Sequence, residues 1–354
     1  MTSLRDQIYE YFFLKEANSD IYFSEYVYIP KGARGVFGGQ VISQALAAAT
    51  LTANTRFIVH SLHSYFILNG RPDDPIYYHV ERIRDGKSFC TRNVLAKQRG
   101  NTIFSLSCSF KVAEPSHMEH QFDPPSIHSP EESFKFYENH RTQAVTGETR
   151  ALKFRDKVQV GKLSMDICQA IPKCERLRRS FDLIKSETIS KRGESSSAYL
   201  ESEIALPYNA WWYKLDHELH GLYPQVHMCL FAYISDHRLL SVCNLPHYFG
   251  NNIGKNRLTM IASLDHAIWF HAPLRVDRWL LYSLESPRVK DFRGLAYGKV
   301  FDENGVLVAN VVQEGILRAK QTDPSAAPTE ALHFQTFPPE IQPDKASNFQ
   351  ASKL

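Results

Sequence analysis

Several segments of the chain alternate apolar and polar residues with the two-residue period of a β-strand. In segment 102–111 the apolar residues are separated by serines, which predicts a strand with one buried face. Segment 41–49 is rich in alanine and carries apolar residues at helical spacing, so we predict a buried helix there. Further strand-like runs, bounded by turn sequences, cover residues 57–68, 75–84 and 88–97. The pattern predicts one helix followed by an antiparallel meander.

The last third of the chain repeats this order of elements. A shift of 204 positions aligns residues 60–110 with residues 264–314 without a gap and matches Tyr78 with Tyr282. Identical residues are few, but the predicted strands and turns coincide along the alignment. We therefore expect a duplicated unit, and two unrelated meanders remain the alternative.

The chain divides into four predicted regions. Between the two copies, segment 150–194 contains twelve Lys and Arg residues against six Asp and Glu residues. We expect a basic, partly irregular and solvated connector, although its segment 174–181 could form a basic helix that meets a phosphorylated ligand. The predicted regions are an N-terminal domain (1–123), the connector (124–201), a C-terminal domain (202–322) and a flexible tail (323–354).

Composition and charge argue against several classes of protein. Of the 354 residues, 43% are hydrophobic and 22% are charged, as in ordinary folded proteins. The net charge of +3 is too small to indicate a nucleic-acid partner. No apolar run is long enough for a membrane span or a secretory signal, so we expect a soluble, intracellular protein. The six cysteines include no Cys-x-x-Cys pair, and we interpret them as free thiols.

The last three residues are Ser352-Lys353-Leu354, the tripeptide that peroxisomal import receptors recognise at a free carboxyl terminus. The preceding residues 321–351 are rich in proline, alanine, serine and threonine, so this end should stay solvated and accessible. The sequence therefore predicts a location in the peroxisomal matrix, with the import receptor as a partner.

The motifs of several enzyme classes are missing from the sequence. There is no Gly-x-Ser-x-Gly elbow, no Gly-x-Gly-x-x-Gly loop, no Walker loop and no His-Glu-x-x-His, which argues against the corresponding hydrolases, dinucleotide enzymes and metalloproteases. The pairs His60/His63 and His266/His271 have odd spacings, which on a strand direct the two side chains to opposite faces. We therefore expect no metal site and no cofactor.

Two polar residues stand at positions that require a partner. The apolar face formed by residues 307, 309 and 311 continues to Gln313, and a buried amide needs a hydrogen bond to backbone, to water or to a substrate carbonyl. Asp236 follows a strand-like apolar run and precedes another apolar stretch, where a carboxylate would cap the N-terminus of a helix. From the residues alone, structural and functional roles stay open for both.

Six sequence blocks follow one another along the chain: RGVFGGQV (34–41), HSLHSYF (60–66), RDGKSF (84–89), AYISD (232–236), SLDHAIWFH (263–271) and VQEG (312–315). Together they resemble the acyl-CoA thioesterase II family, especially its peroxisomal branch. The resemblance implies an α+β fold, a tandem (double) hotdog in which each antiparallel sheet wraps around a central helix. It also implies hydrolysis of fatty acyl-CoA to free acid and CoA, with no cofactor besides the CoA of the substrate.

The resemblance assigns catalytic roles to an aspartate, a hydroxyl residue and a glutamine, which fall on Asp236, Ser263 and Gln313. Such a set suits activation of water, because the carboxylate accepts a proton while the hydroxyl and the amide hold the water. Segment 287–292 is bulkier and more charged than is usual in the family, which could alter contacts with CoA. The substrate-binding residues that the resemblance implies are Gly38, Gly39, His60, Arg293 and Gly294.

Two other functions share the implied fold. One is a hotdog hydratase that adds water to enoyl-CoA, and the other is a non-catalytic acyl-CoA-binding protein in which Asp236 and Gln313 are structural. We also expect a homo-oligomer, since tandem hotdogs commonly associate through their sheets.

Overall fold

The computed structural model describes residues 14–24, 26–30, 33–141, 155–160, 163–170, 173, 205–247 and 258–319. No helix within these ranges is long and apolar enough to cross a membrane. The predicted basic helix at 174–181 and the tripeptide Ser352-Lys353-Leu354 lie outside the described residues.

The N-terminal half contains the helix and the meander that the hydrophobic pattern predicts. The helix is buried from Gly39 to Ala49, and its small alanine side chains let the strands pack close to its backbone. The elements of this half are β1 (Lys15–Asn18), β2 (Ile21–Ser24), α1 (Gly38–Leu51), β3 (Ile58–Phe66), β4 (Ile76–Asp85), β5 (Phe89–Gln98) and β6 (Asn101–Lys111).

The C-terminal half again has a buried helix followed by antiparallel strands. Its elements, together with those of the connector, are α2 (Pro130–Arg141), β7 (Arg155–Val160), β8 (Leu163–Gln169), β9 (Tyr208–Leu215), α3 (Pro224–Ser235), a 3₁₀ helix (Leu239–His247), β10 (Leu258–Ser263), β11 (Asp265–Phe270), β12 (Leu280–Lys290), β13 (Arg293–Phe301) and β14 (Leu307–Ala319).

The described strands form one antiparallel sheet, in the order β1-β2-β4-β5-β6-β3-β11-β14-β13-β12-β9-β8-β7, with β10 paired to β14. The two halves join where β3 pairs with β11, and there the buried Leu62 lies opposite the buried Ile268. Helices α1 and α3 pack against each other, and Ser43 Oγ of α1 donates to the Cys229 carbonyl oxygen of α3 at 2.7 Å. One cluster of buried apolar residues spans both halves, so the halves share a core.

The connector is more regular than the sequence predicts. Strands β7 and β8 form a hairpin, and β8 pairs with β9, which adds both strands to the sheet. Met165 and Ile167 of β8 lie in the main core, whereas Cys168 lies in a second cluster that Phe134 of α2 covers. Residues 163–167 alternate apolar and polar side chains as a strand does, but this signal is short and lies within the basic segment, so the sequence prediction missed it.

The pairing register agrees with the predicted repeat except in its last strand. Tyr78 in β4 and Tyr282 in β12 hold equivalent positions at the offset of 204. The connection from Val300 to its partner Ala309 contains one residue more than the connection from Ala96 to its partner Phe104, so the offset along β6 and β14 becomes 205. The counterpart of Gln313 is therefore the buried Cys108, not Ser109.

The hairpin between β12 and β13 has a two-residue turn in the left-handed region. Asp291 and Phe292 have φ of 52° and 60°, and Lys290 lies opposite Arg293. Turns of this geometry favour Asn-Gly because residues with a Cβ pay a steric cost at positive φ. Phe292 is 63% exposed, so its ring contributes little packing.

We predict that Phe292→Gly raises the free energy of unfolding by about 0.5–1 kcal/mol, because glycine adopts positive φ without that steric cost. The control Phe292→Ala removes the same ring but keeps a Cβ, and it should give no gain. Urea denaturation measures both variants. Equal midpoints for the glycine and alanine variants would contradict this explanation.

Candidate active site

Three polar side chains from distant parts of the chain meet at one point. Gln313 Nε2 lies 2.9 Å from Asp236 Oδ1 and 2.5 Å from Ser263 Oγ. Ser263 Oγ lies 3.5 Å from the same carboxylate oxygen. Gln313 is fully buried, whereas Asp236 and Ser263 are half-buried. The prediction that the buried amide needs a partner is confirmed, and its partners are side chains rather than neighbouring backbone.

Asp236 lies at the carboxyl end of α3 and three residues before the 3₁₀ helix, rather than at the N-terminus of an α-helix as its sequence context suggests. The apolar run before it is α3 rather than a strand. Its carboxylate nevertheless meets a helix N-terminus, because Asp236 Oδ2 accepts the backbone N–H of Gly39, in the first turn of α1, at 2.9 Å. The first N–H groups of a helix have no partner within the helix, and they form the positive end of its dipole. The carboxylate therefore caps a helix of the other half.

Two glycines allow α1 to approach this carboxylate. A Cβ at Gly38 would lie 2.8 Å from Asp236 Oδ2 and 2.9 Å from the Phe66 ring. A Cβ at Gly39 would overlap the Tyr233 carbonyl oxygen of α3. Only glycine at both positions lets the two helices pack and the carboxylate reach the Gly39 N–H.

His266 contacts the network from its buried side. Its Nδ1 lies 2.9 Å from Gln313 Oε1, and its Nε2 lies 2.9 Å from Ser235 Oγ. Burial lowers the pKa of His266 and outweighs the Asp236 carboxylate, which raises it, so the imidazole is neutral at pH 7. Sequence reasoning considered His266 only as half of a rejected metal pair. The sequence feature that could have identified His266 is its two-residue spacing from Ile268 and Phe270, which places all three residues on the buried face of β11.

A cavity of about 780 Å³ opens beside the network, between the two halves. Gly38 and Ser263 both line it, whereas Asp236 and Gln313 do not, so the network meets the cavity at Ser263. The N-terminal half contributes the entry to α1 and the end of β3, and the C-terminal half contributes β10 and the 3₁₀ helix. The apolar lining includes Val36, Phe37, Phe66, Leu68, Met260 and Ile261.

The remaining predicted substrate-binding residues do not line this cavity. His60 Nε2 lies 2.8 Å from Ser109 Oγ on the outer face of the sheet, because a bulge between Val59 and Ser61 turns it outward. Arg293 forms an exposed ion pair with a glutamate at 3.0 Å, at the hairpin end of β13, and Gly294 packs beside the 3₁₀ helix. The structure thus separates His60, Arg293 and Gly294 from Asp236.

The same bulge changes the expected geometry of the first histidine pair. His60 and His63 share the outer face, where His63 packs edge-on against the Trp269 ring at a centroid distance of 5.1 Å. His266 and His271 do point to opposite faces, since His271 is exposed and bonds Asn310. Within the described ranges, no group of three or more His, Cys, Asp or Glu residues could hold a metal ion.

Comparisons with known proteins agree with one another. A family model described as "Acyl-CoA thioesterase N-terminal domain" matches residues 28–111, and one described as "Acyl-CoA thioesterase" matches residues 191–316. Acyl-coenzyme A thioesterase 8 of Mus musculus is 35% identical over 87% of each chain. Peroxisomal acyl-coenzyme A thioester hydrolase 1 of Saccharomyces cerevisiae is 28% identical, over 81% of this chain and 86% of the yeast protein. The solved structure of acyl-CoA thioesterase II TesB2 from Mycobacterium marinum is 31% identical, covers 89% of this chain and 98% of its own, and has a TM-score of 0.63.

A partly buried histidine beside Asp236, His237, makes stability depend on pH. Burial lowers the pKa of His237 to about 3, whereas an unfolded chain binds a proton at this side chain near pH 6.5. The unfolded state therefore binds more protons in this range, and stability falls on acidification. We predict that lowering the pH from 7 to 5 removes about 1–2 kcal/mol of folding free energy through His237.

The variant His237→Asn tests this prediction, since asparagine can keep a polar contact with the Tyr213 hydroxyl, which lies 3.2 Å from His237 Nδ1. Urea midpoints at pH 7 and pH 5 should differ less in the variant than in the parent protein. An equal loss in both proteins would show that His237 does not carry the effect.

Proposed function

Because the chain belongs to the acyl-CoA thioesterase II family and is an acyl-CoA thioesterase, we propose that it hydrolyses fatty acyl-CoA through a water molecule activated by Asp236, Ser263 and Gln313. The observation that carries the proposal is the convergence of a carboxylate, a hydroxyl and an amide on one point beside a cavity. The products are the free fatty acid and CoA.

Asp236 is the general base in this proposal. The Gly39 N–H anchors one carboxylate oxygen, and the other oxygen faces Ser263 and Gln313. The water oxygen attacks the carbonyl carbon of the thioester while its proton passes to Asp236. Collapse of the tetrahedral intermediate breaks the carbon–sulfur bond, and the CoA thiolate leaves and takes up a proton.

Ser263 holds the water, Gln313 orients the Ser263 hydroxyl and the Asp236 carboxylate through its two N–H groups, and the start of α1 receives the developing charge. The 3.5 Å separation between Ser263 Oγ and Asp236 Oδ1 is the longest contact of the three, and the water would bridge this hydroxyl and this carboxylate. Helix α1 begins at Gly38, which lines the cavity. Backbone N–H groups at a helix start carry partial positive charge, which suits the thioester carbonyl oxygen as it becomes an oxyanion.

Direct attack by water is favoured over a covalent acyl-enzyme. Ser263 Oγ contacts the Gln313 amide and the Asp236 carboxylate, whereas the neighbouring imidazole of His266 bonds Gln313 instead. Burial raises the pKa of Cys229 to about 12 and that of Cys243 to about 11. Neither thiol forms an appreciable thiolate at neutral pH.

The tandem hotdog is part of the same proposal. Each half packs one buried helix against antiparallel strands, and the strand register repeats between β4-β5 and β12-β13. In the first half Leu62 and Cys108 occupy the positions of His266 and Gln313. These apolar replacements support a single reaction centre, in the C-terminal half.

The peroxisomal location and the homo-oligomer also belong to the proposal. The carboxyl-terminal tripeptide and a yeast relative that is named peroxisomal support the location. Exposed aromatic residues on the outer face of the sheet, Tyr65 and Trp269 among them, support association of two copies through their sheets.

We predict that Asp236→Asn lowers kcat by about 10²–10⁴-fold, because asparagine still accepts the Gly39 N–H but takes up no proton. Thiol release from palmitoyl-CoA measures the rate. The matched control is Asp265→Asn, since Asp265 Oδ1 accepts the Glu314 N–H at 2.6 Å and lies outside the trio. Parental activity in Asp236→Asn would exclude the carboxylate as the base.

We predict that an amino-terminal fluorescent fusion of the full chain enters peroxisomes, and that removal of Ser352-Lys353-Leu354 leaves it in the cytosol. Fluorescence microscopy with a peroxisomal marker reads out both proteins. Import of the truncated fusion at the level of the full chain would refute the role of the tripeptide.

A further inference from the structure

The buried contact between His266 and Gln313 has no role in the mechanism above. The imidazole lies between Ser235 and Gln313 and is 0% exposed, so it does not reach the cavity or the substrate. It nevertheless touches the residue that contacts both other members of the trio. Its effect on the site must therefore act through the Gln313 amide.

The amide can serve the site in only one of its two orientations. Gln313 Nε2 faces the Asp236 carboxylate at 2.9 Å and the Ser263 hydroxyl at 2.5 Å. Rotating the amide by half a turn would place its oxygen against the carboxylate, where two acceptors repel each other. In the observed orientation Oε1 faces His266 Nδ1 at 2.9 Å, and this nitrogen must carry the ring proton.

The other ring nitrogen is compatible with the same tautomer. With Nδ1 protonated, the neutral imidazole has a lone pair at Nε2, which can accept from the Ser235 hydroxyl at 2.9 Å. The same hydroxyl also lies 2.9 Å from the Ala232 carbonyl oxygen, so the orientation of the Gln313 amide, not Ser235, determines the tautomer. Ser235 is the last residue of α3 and precedes Asp236. The hydrogen bonds thus run from the end of α3 through the imidazole and the amide, and return to the carboxylate at the same end of α3.

The N-terminal half provides an internal comparison. There Leu62 holds the position of His266 and Cys108 that of Gln313, and both are buried in the shared core. The sheet and helix therefore pack well around a leucine at this position. The polar pair occurs only in the half that carries the carboxylate.

We propose that His266 is a positioning residue, which donates from Nδ1 to Gln313 Oε1 and so holds the amide in the orientation that donates to Asp236 and Ser263. This inference rests on the proposed function, because the amide matters to catalysis only if the trio holds the attacking water.

Two substitutions separate the donor from the bulk of the ring. His266→Leu reproduces the residue of the N-terminal half and removes the donor, so kcat should fall by about 10- to 100-fold with KM changed less than about threefold. His266→Asn keeps an N–H donor near Nδ1, and the Ser235 hydroxyl can then donate to the Ala232 carbonyl oxygen, 2.9 Å away. Its kcat should stay within about fivefold of the parent value.

Thiol release from palmitoyl-CoA gives both constants, and thermal unfolding checks both variants. Parental kcat in His266→Leu would overturn the proposal. Equal loss of kcat in the leucine and asparagine variants would also overturn it, because the donor would then not be what matters.

A second measurement uses the unsubstituted protein and does not depend on how the variants fold. Long-range ¹H–¹⁵N spectra of the labelled full chain report which imidazole nitrogen carries the proton, and His266→Asn identifies the signals by their loss. We expect a neutral ring with the proton on Nδ1 at pH 7. A proton on Nε2 alone would overturn the inference.

The two proposals fail in different ways. If Asp236→Asn is inactive while His266→Leu is fully active, only the positioning role of His266 is wrong. If Asp236→Asn keeps parental activity, the proposed mechanism itself is wrong, and the imidazole spectra still report the tautomer.

Discussion

The hydrogen bond between the Asp236 carboxylate and the Gly39 N–H is the contact on which the rest of the site depends. A carboxylate at the end of its own helix faces the negative end of that helix dipole, which is unfavourable. The structure offsets this by placing the start of α1 against the same carboxylate, 2.9 Å from Oδ2. One oxygen is thereby fixed in direction, and the other faces Ser263 and Gln313. The contact joins the two halves at the edge of the cavity, so the site exists only where both halves are folded together.

The two halves use the same framework for different purposes. Arg92, which corresponds to Ala296 beside Gln313 in the second half, is buried. It donates to the Thr52 hydroxyl at 2.9 Å and to the Thr52 carbonyl oxygen at 3.2 Å, at the carboxyl end of α1. A cation at that end of a helix is favourable. At equivalent positions of the sheet, the first half therefore has a buried structural arginine opposite Cys108, and the second half has Ala296 opposite the polar Gln313.

Local pattern predicted the helix α1 from its alanine-rich helical spacing, and the four long strands of the first half from strand-like runs bounded by turn sequences. It did not predict β8, whose short alternating run lies within the basic connector, nor the outward turn of His60, which depends on a one-residue bulge. The burial of Gln313 followed from alternation along β14. Its partners did not, because Asp236, Ser263 and His266 reach it only through the pairing of β14 with its neighbours and the packing of α3. The family resemblance named three of these four residues, and the geometry added His266.

The central claim is that Asp236 activates water and does not itself attack the thioester. A single turnover with enzyme in excess, carried out in ¹⁸O-labelled water and followed by mass spectrometry of the fatty acid and of the peptide containing Asp236, tests this most directly. The account predicts one ¹⁸O in the fatty acid and none in Asp236. An unlabelled fatty acid together with ¹⁸O in the Asp236 carboxylate would reveal an anhydride intermediate and contradict the account.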